Sequence, residues 1–300
     1  MTPNNNLSVL PFYEGVQYQD YKKSYAYGDV YPLFTPLNKI LPFQIIRPTR
    51  SNQIAWVRLY NYKMTKRIAD ITQPMKETGL QIVRYQSYGY DVILYPGNLL
   101  MALNVATEGR YMIAINDGVQ TYYSDVFTWV NGMDGYLCIE WSDAENMEVD
   151  GGQIVYDVAQ FKNRVYVCAE LGKPEYKFEE EGEERDGYFF PEKQISEKTF
   201  RFIFLAPEYL CDVMRLIRMS DFVTVYSQGR KYDCDTFLIT PKWQTQGNLA
   251  SVECEFECAT VVKKIGRGVL PPGTNGDYNN DYNNDFNNQK FYLLWEIMNN

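Results

Sequence analysis

The sequence contains no histidine among its 300 residues. Without imidazole the chain cannot build a Ser-His-Asp triad, a Cys-His dyad or a histidine-ligated zinc or iron site. It also lacks the Gly-x-Ser-x-Gly elbow of serine hydrolases and the glycine-rich loops that bind phosphates and dinucleotides. These absences exclude large classes of enzyme, and we expect a protein with no catalytic site, no metal and no cofactor.

Positive charge is also scarce, since 29 lysines and arginines face 38 acidic residues and the formal net charge is −9. Proteins that bind nucleic acid need clustered basic residues to neutralise phosphates, so we expect no nucleic-acid partner. No apolar run approaches the ~18 residues of a membrane-spanning helix, so no membrane contact is expected. Residues 1–6 do not resemble a signal peptide, which predicts synthesis in the cytosol without export.

The six cysteines are too few and too scattered to predict a zinc site. Cys254 and Cys258 have no matching second pair, and reduced thiols in strands are favoured over three disulfides in a chain without an export signal. On a strand, Cys254, Phe256 and Cys258 would lie on one face and the intervening glutamates on the other. The cysteines are Cys138, Cys168, Cys211, Cys234, Cys254 and Cys258.

Aromatic residues are abundant, with 26 tyrosines, 16 phenylalanines and five tryptophans. Short runs of β-branched and aromatic residues between turn residues predict a mainly β fold. The predicted strands are 54–60, 80–85, 90–95, 110–115, 122–130, 136–141, 164–169, 198–205, 222–227, 232–240 and 249–262. Asp150-Gly151-Gly152 divides them into two predicted domains, 51–148 and 149–265, each a β-sandwich or barrel.

Three local patterns add detail to this fold. Asn116-Asp117-Gly118 predicts a hairpin with a type I′ turn, and the glutamate run at 179–186 predicts a solvated loop because like charges repel. A cation site is the alternative for that run, although nothing in it fixes a coordination geometry. A single apolar stripe predicts one short helix near 207–219 in the second domain: Leu210, Val213, Met214 and Ile217.

Residues 1–50 form a segment rich in tyrosine and proline. Proline biases the preceding residue toward extended conformations, so we predict an extended N-terminal segment that lies on its own surface or on a neighbour's. A loop-rich first subdomain is an equal alternative. Tyrosine is enriched at subunit interfaces, and the candidate interface residues here are Tyr18, Tyr21, Tyr25, Tyr27 and Tyr31.

The last predicted segment, 266–300, combines a polar spacer with an apolar sequence. Three copies of the unit Asp-Tyr/Phe-Asn-Asn occupy 277–288, and Phe291–Met298 follows. The spacer lacks the aliphatic residues of a core. We interpret the segment as a flexible C-terminal arm, while folding back onto its own domain is the alternative. Its candidate interface residues are Phe291, Tyr292, Leu294 and Trp295.

Several stretches resemble structural proteins of tailed bacteriophages and prophages, in particular tail and connector components. They are Gly109–Gly118, Tyr122–Phe127 and Glu197–Phe200 with the following Ala206–Leu210. The resemblance implies a virion protein present in repeated copies, with β-sandwich modules and extended arms that lock subunits into a ring. Its partners would be other copies of itself and neighbouring virion proteins, assembled in the host cytoplasm. The resemblance leaves open whether the ring belongs to the distal tail, the baseplate or the head-to-tail connector.

Two alternatives remain from the residues themselves. A carbohydrate-binding or receptor-recognition module would use exposed Trp or Tyr side chains along a groove. A histidine-free glycoside hydrolase would need two facing carboxylates in an aromatic cleft, and Asp117, Asp125 and Glu140 are candidates. Arms at both ends suit a ring, in which one patch meets a different patch on the next copy.

Overall fold

The computed structural model describes residues 7–15, 33–50, 53–85, 88–100, 107–149, 152–158, 160–185, 187–243 and 249–264. Within them the chain is mainly β, which confirms the predicted fold class. The first strands are β1 (Phe12–Tyr13), β2 (Phe34–Pro36), β3 (Phe43–Pro48), β4 (Trp56–Asn61), β5 (Arg67–Asp70), β6 (Gln81–Tyr85), β7 (Tyr90–Tyr95), β8 (Gly109–Asn116), β9 (Thr121–Ser124) and β10 (Phe127–Val130). They are followed by β11 (Tyr136–Ser142), β12 (Met147–Val149), β13 (Gly152–Ile154), β14 (Asn163–Cys168), β15 (Glu175–Arg185), β16 (Tyr188–Pro207), β17 (Phe222–Ser227), β18 (Arg230–Trp243) and β19 (Leu249–Lys264).

The predicted helix is present as α2 (Glu208–Met214), which continues as a 3-10 helix over Arg215–Met219. Its predicted apolar stripe is buried: Leu210, Val213, Met214 and Ile217. A second helix, α1 (Thr72–Glu77), was not predicted, because it buries only Met75 and is too short to show a helical period. Neither helix has the length and apolar character needed to cross a membrane.

Most strands belong to one large sheet. Its order is β1-β9-β8-β10-β2-β14-β11-β17-β18-β19-β16-β15, with β4 paired to β8 and β5 paired to β4. β11, which belongs to the first predicted domain, pairs on both sides with strands of the second, β14 and β17. Strands from either side of the predicted border at 148/149 therefore share this sheet.

A smaller sheet, β3-β7-β6, lies between two apolar layers. Alternate residues of β3 point to opposite faces, so Phe43 and Ile45 enter the main core while Ile46 packs with Tyr156 and Phe161 on the other side. This arrangement explains why β3 and β7 are buried along almost their whole length. The layers agree with the predicted sandwich-like packing.

The alternation predicted for β19 is confirmed. Cys254, Phe256 and Cys258 are buried in the main core, and the intervening glutamates are partly exposed on the opposite face. All six cysteines are free thiols, and five of them lie in strands, as the sequence favours. The exception is Cys211, which lies on α2.

The described part of the N-terminal segment is extended but does not lie on a surface. Leu33, Ile40, Leu41 and Phe43 are almost fully buried and belong to the main core. The physical reason is the aliphatic content of residues 33–46, which gives β2 and β3 apolar side chains to bury. Proline content correctly predicted the extended backbone, but it could not indicate which side chains would be covered.

Two other local predictions need correction. The β8–β9 hairpin is confirmed, but its loop has four residues, 117–120, because Asn116 pairs with Thr121. The predicted type I′ turn is wrong, since it needs a positive φ at two central residues and within this loop only Gly118 has one. The acidic run at 179–186 was predicted to be a loop, whereas its described residues up to Arg185 belong to strand β15. Pairing with β16 holds one edge of β15 in the sheet, and exposure to solvent lets the charged side chains remain hydrated.

The chain divides into two compact units along a line that differs from the predicted border. One unit comprises 1–179 and 195–262, and the other comprises 180–194 and 263–300. In the first unit, one hydrophobic cluster joins Leu59 of β4, Trp141 of β11 and Phe256 of β19. In the second unit, the described residues are the turn end of the β15–β16 hairpin and Lys263–Lys264.

Candidate functional site

The predicted interface residues cannot be placed. Tyr18, Tyr21, Tyr25, Tyr27, Tyr31, Phe291, Tyr292, Leu294 and Trp295 lie outside the described residues. Their role in an interface therefore stays a prediction. The described residues nevertheless contain surfaces with the chemistry of an interface.

Large apolar side chains are exposed mainly on the later strands of the sheet. Monomeric proteins rarely expose contiguous apolar patches, and such patches mark interaction sites. The exposed apolar residues of the larger unit on these strands are Tyr176, Phe178, Ile203, Leu205, Phe222, Leu238, Trp243, Val261 and Val262. We call Tyr176 and Phe178 the edge surface, because they lie on β15 at one end of the sheet order.

Tyr176 and Phe178 continue the aromatic row of the core onto the edge strand. They are 71% and 63% exposed, and the Nζ atom of Lys198 lies 6.0 Å from the Tyr176 ring centre and 5.0 Å from that of Phe200. Phe200 stacks on Phe256 inside the core, with 5.4 Å between ring centres. Aromatic side chains therefore continue from the buried to the exposed part of the same sheet face.

The opposite face of the same strands carries a ladder of ion pairs. Arg201 donates from Nε to Glu255 at 2.6 Å and from Nη1 to Glu175 at 2.9 Å, and Lys177 donates to Glu257 at 3.2 Å. The hydrogen bond and charge of Glu255 raise the pKa of Arg201. Because these pairs are solvent-exposed, they contribute little stability. Ile203 and Leu205 lie on the same face as this ladder, because they alternate along β16 with the buried phenylalanines.

The smaller unit exposes an acidic, aromatic surface at the end of the β15–β16 hairpin. Within 180–194, six acidic residues accompany two basic ones. Tyr188 is 72% exposed and Phe189 is 47% exposed. Glu181 pairs with Lys193 at 3.0 Å across the hairpin. We call residues 180–194 the acidic hairpin.

A basic surface lies on another hairpin, formed by β4 and β5 in the larger unit. Residues 56–70 contain Arg58, Lys63, Lys66 and Arg67 but only one acidic residue, Asp70. Sequence reasoning missed this cluster because the whole chain is acidic. A local count of charges would have found it.

Contacts within the β4–β5 hairpin hold these cations in place. The Arg58 guanidinium lies 4.1 Å from the Trp56 ring, and Arg110 on β8 lies 4.1 Å from the Tyr62 ring. The side-chain oxygen of Asn61 accepts the Lys66 N–H at 2.9 Å, which closes the loop. We call Arg58, Lys63, Lys66, Arg67 and Arg110 the basic hairpin surface.

The carboxylates proposed for a glycosidase all have structural partners. Asp117 is fully buried and bonds Arg47 and Arg50, and Glu140 binds Arg164 and accepts the Tyr226 hydroxyl at 3.3 Å. Asp125 is also buried and accepts the N–H of Val126 at 2.8 Å. The structure therefore places these three carboxylates in the framework of the sheet, not in an open cleft.

A different set of carboxylates lines a groove of about 460 Å³ beside β11 and β17. Asp143 accepts the Asp221 N–H at 3.0 Å, while burial, followed by the charge of Asp221, raises the pKa of Asp143. Hydrogen bonds from Lys231 and Thr224 lower the pKa of Asp233 in the same groove. The glycosidase alternative stays a prediction.

A second groove, of about 400 Å³, presents a half-exposed tryptophan beside α2. Trp243 is 49% exposed, and Glu208, Asp212 and Arg215 line the same groove. An aromatic face beside carboxylates and a guanidinium suits the apolar face and hydroxyl groups of a sugar. Among the described residues, no group of three or more Cys, Asp or Glu side chains could hold a metal ion.

No protein-family profile matches the sequence, and no curated protein matches it either. The surfaces described above are therefore the basis for proposing a function.

Proposed function

We propose that this protein is a structural virion protein of a tailed phage, which self-assembles into a ring in the tail, baseplate or head-to-tail connector. The observation that carries the proposal is the edge surface, where Tyr176 and Phe178 lie exposed on the last strand of the sheet. An isolated soluble domain gains nothing from such exposure, whereas a neighbouring subunit would cover it.

The strand order supports the same proposal. Among the described residues, β15 pairs only with β16, so its other edge offers unpaired backbone groups to a neighbouring chain. Strand addition at such an edge is a common way of joining subunits. In this proposal the partners are other copies and neighbouring virion proteins, and assembly takes place in the host cytoplasm.

The test is the mass of the purified protein, measured by size-exclusion chromatography with light scattering. We expect the full chain to form an oligomer, and the paired substitutions Tyr176→Ser and Phe178→Ser to shift it toward monomer. Tyr88→Ser is the matched control, since Tyr88 is 69% exposed away from the edge surface. A full chain that remains monomeric at all concentrations would refute the proposal.

The predicted C-terminal arm has its own test with the same assay. A chain truncated after residue 265 should keep its circular dichroism spectrum but assemble poorly, because residues 266–300 would contact a neighbouring copy. Unchanged assembly of the truncated chain would remove the arm from the proposal without touching the edge surface.

The groove at Trp243 favours carbohydrate binding as a second candidate function. We expect a monomer with this function to bind on a glycan array and to lose that binding on Trp243→Ala. Tyr88→Ala, another exposed aromatic substitution, should leave binding unchanged. Absence of glycan binding by the wild-type chain would exclude this candidate.

A further inference from the structure

Two surfaces of the chain carry opposite charges. The described side chains of the acidic hairpin include five glutamates and one basic residue, Lys193, although the formal net charge of the whole chain is only −9. The basic hairpin surface carries five cations, with Asp70 as the acidic residue among its strands. Within these surfaces Glu181 pairs with Lys193 and Arg58 pairs with Asp70, and each surface keeps an excess of one sign of charge.

Both surfaces combine charge with aromatic groups. Tyr188 and Phe189 are exposed on the acidic hairpin. On the basic surface, the partly buried Tyr62 lies under the Arg110 guanidinium and packs against Met112 and Val126. Complementary charge around an aromatic centre is the usual composition of a specific protein interface.

The basic hairpin surface is also preorganised. Met64 donates its N–H to the Asn61 carbonyl at 2.8 Å, and Tyr62 donates its N–H to the Arg110 carbonyl at 3.1 Å. Among the described residues, β5 pairs only with β4, so its outer edge is open. Binding of a partner here would lose little conformational entropy, because the loop already has a fixed geometry.

We infer that the acidic hairpin of one copy docks onto the basic hairpin surface of a neighbouring copy. The two surfaces differ, so the contact is heterologous, which is the type that builds rings and filaments. This inference rests on the proposed function, because it names the surfaces through which copies associate. It also identifies the occupant of both surfaces as this same chain, on the ground of their charge complementarity.

The test reverses each surface separately and then together. Variant A carries Lys63→Glu, Lys66→Glu and Arg67→Glu, and variant B carries Glu180→Lys, Glu181→Lys and Glu184→Lys. A control variant carries Lys162→Glu, Lys173→Glu and Arg218→Glu, which changes the net charge as much as variant A at exposed positions elsewhere. Sedimentation velocity at low and high salt measures association, and circular dichroism checks folding.

We expect variants A and B each to lose association by at least about 100-fold, because each brings like charges together. An equimolar mixture of A and B should assemble. The acidic hairpin of A meets the unchanged basic surface of B, and the hairpin of B, made basic by its substitutions, meets the β4–β5 surface of A, made acidic by its own. The variant that carries all six substitutions should assemble alone for the same reason. The control should behave as the wild type, and high salt should weaken wild-type association.

The remaining outcomes overturn the inference in distinguishable ways. If the wild type assembles and A or B assembles equally well, these surfaces are not the contact, although the proposed function stands. If A and B fail but their mixture also fails, charge complementarity between them is not the cause. A wild type that stays monomeric overturns both proposals. If a duplex DNA oligonucleotide binds the wild type and not A while assembly is unchanged, the basic surface serves nucleic acid instead.

Discussion

Replacing Asp117 should destabilise the protein more than any exposed ion pair can. Asp117 occupies the β8–β9 loop with a fully buried side chain. Its carboxylate bonds the buried guanidinium of Arg47 and lies 3.0 Å from Nη1 of Arg50. It also accepts the N–H groups of Val119 and Gln120 at 2.9 and 2.7 Å. One side chain thus closes a hairpin loop and balances a buried charge from β3.

The expected magnitude follows from these contacts. Asp117→Ala leaves the Arg47 guanidinium buried with Asp91 as its described ionic partner, 3.6 Å away. Breaking a buried pair by removing one partner costs about 3–5 kcal/mol. Since a domain of this kind has a total stability of roughly 5–15 kcal/mol, the loss is a large fraction of the whole. Asp117→Asn keeps the shape and one acceptor, so we expect an intermediate loss.

The assay is urea unfolding followed by tryptophan fluorescence, with Glu253→Gln as the matched control. Glu253 pairs with Lys242 on the exposed face of the sheet, where an ion pair contributes about 0–1 kcal/mol. A loss below about 1 kcal/mol for Asp117→Ala, equal to that of the control, would refute the reasoning. It would mean that the buried cluster is readily replaced by water.

The same cluster predicts a dependence on pH. Burial acts to raise the pKa of Asp117, but the hydrogen bonds from Gln120, Val119 and Arg47 outweigh it and lower the pKa below its usual range. A carboxyl group whose pKa is lowered by folding contributes stability above its unfolded pKa of about 3.9. That contribution is lost as the pH falls through the folded value. The stability gap between the wild type and Asp117→Asn should therefore narrow below about pH 4.

Two further predictions test the strand assignments and the cysteines. Phe256→Ala should lower the free energy of unfolding in urea by about 3–5 kcal/mol, because the ring is fully buried. The neighbouring Glu257→Gln, on the other face of the strand, should lower it by less than about 1 kcal/mol. Equal losses would contradict the alternation of buried and exposed residues along β19. Among the described cysteines Cys168 is the exposed one, and burial raises the pKa of Cys138 to about 12 and that of Cys211 to about 11. A thiol reagent at pH 8 should therefore label one fast site that Cys168→Ser removes, and several fast sites would contradict this packing.

Local patterns predicted most of the secondary structure. The apolar stripe of α2 and the alternation of β19 are visible in the sequence because burial imposes periods of 3.6 and 2. The hairpin at Asn116–Gly118 was predicted from its turn residues. The acidic strand β15 was not, because charge repulsion indicated a loop while the pairing that holds one of its edges in the sheet comes from β16.

Contacts between distant residues could not be predicted in the same way. Asp117 and Arg47 are 70 positions apart, and no local pattern connects a loop of β8 to a cation on β3. The single sheet that joins β11 to β14 and β17 was not predicted for the same reason. The glycine pair at 151–152 indicates where regular structure is interrupted along the chain, but not which strands pair with one another. Tyrosine content predicted interface residues within 13–31 and 278–292. The charged surfaces could not be predicted in this way, because they depend on which strands lie side by side.

In the proposed assembly, the distribution of charge matters more than its total. A net charge of −9 keeps copies of the chain apart at long range. At contact distance, however, screening at physiological salt leaves only groups within about 8 Å effective, so local surfaces decide whether two copies attract. The β4–β5 hairpin presents cations although the chain as a whole is acidic. In the proposed contact, this hairpin of one copy attracts the acidic hairpin of another, whereas two basic or two acidic surfaces repel each other, so the contact is heterologous.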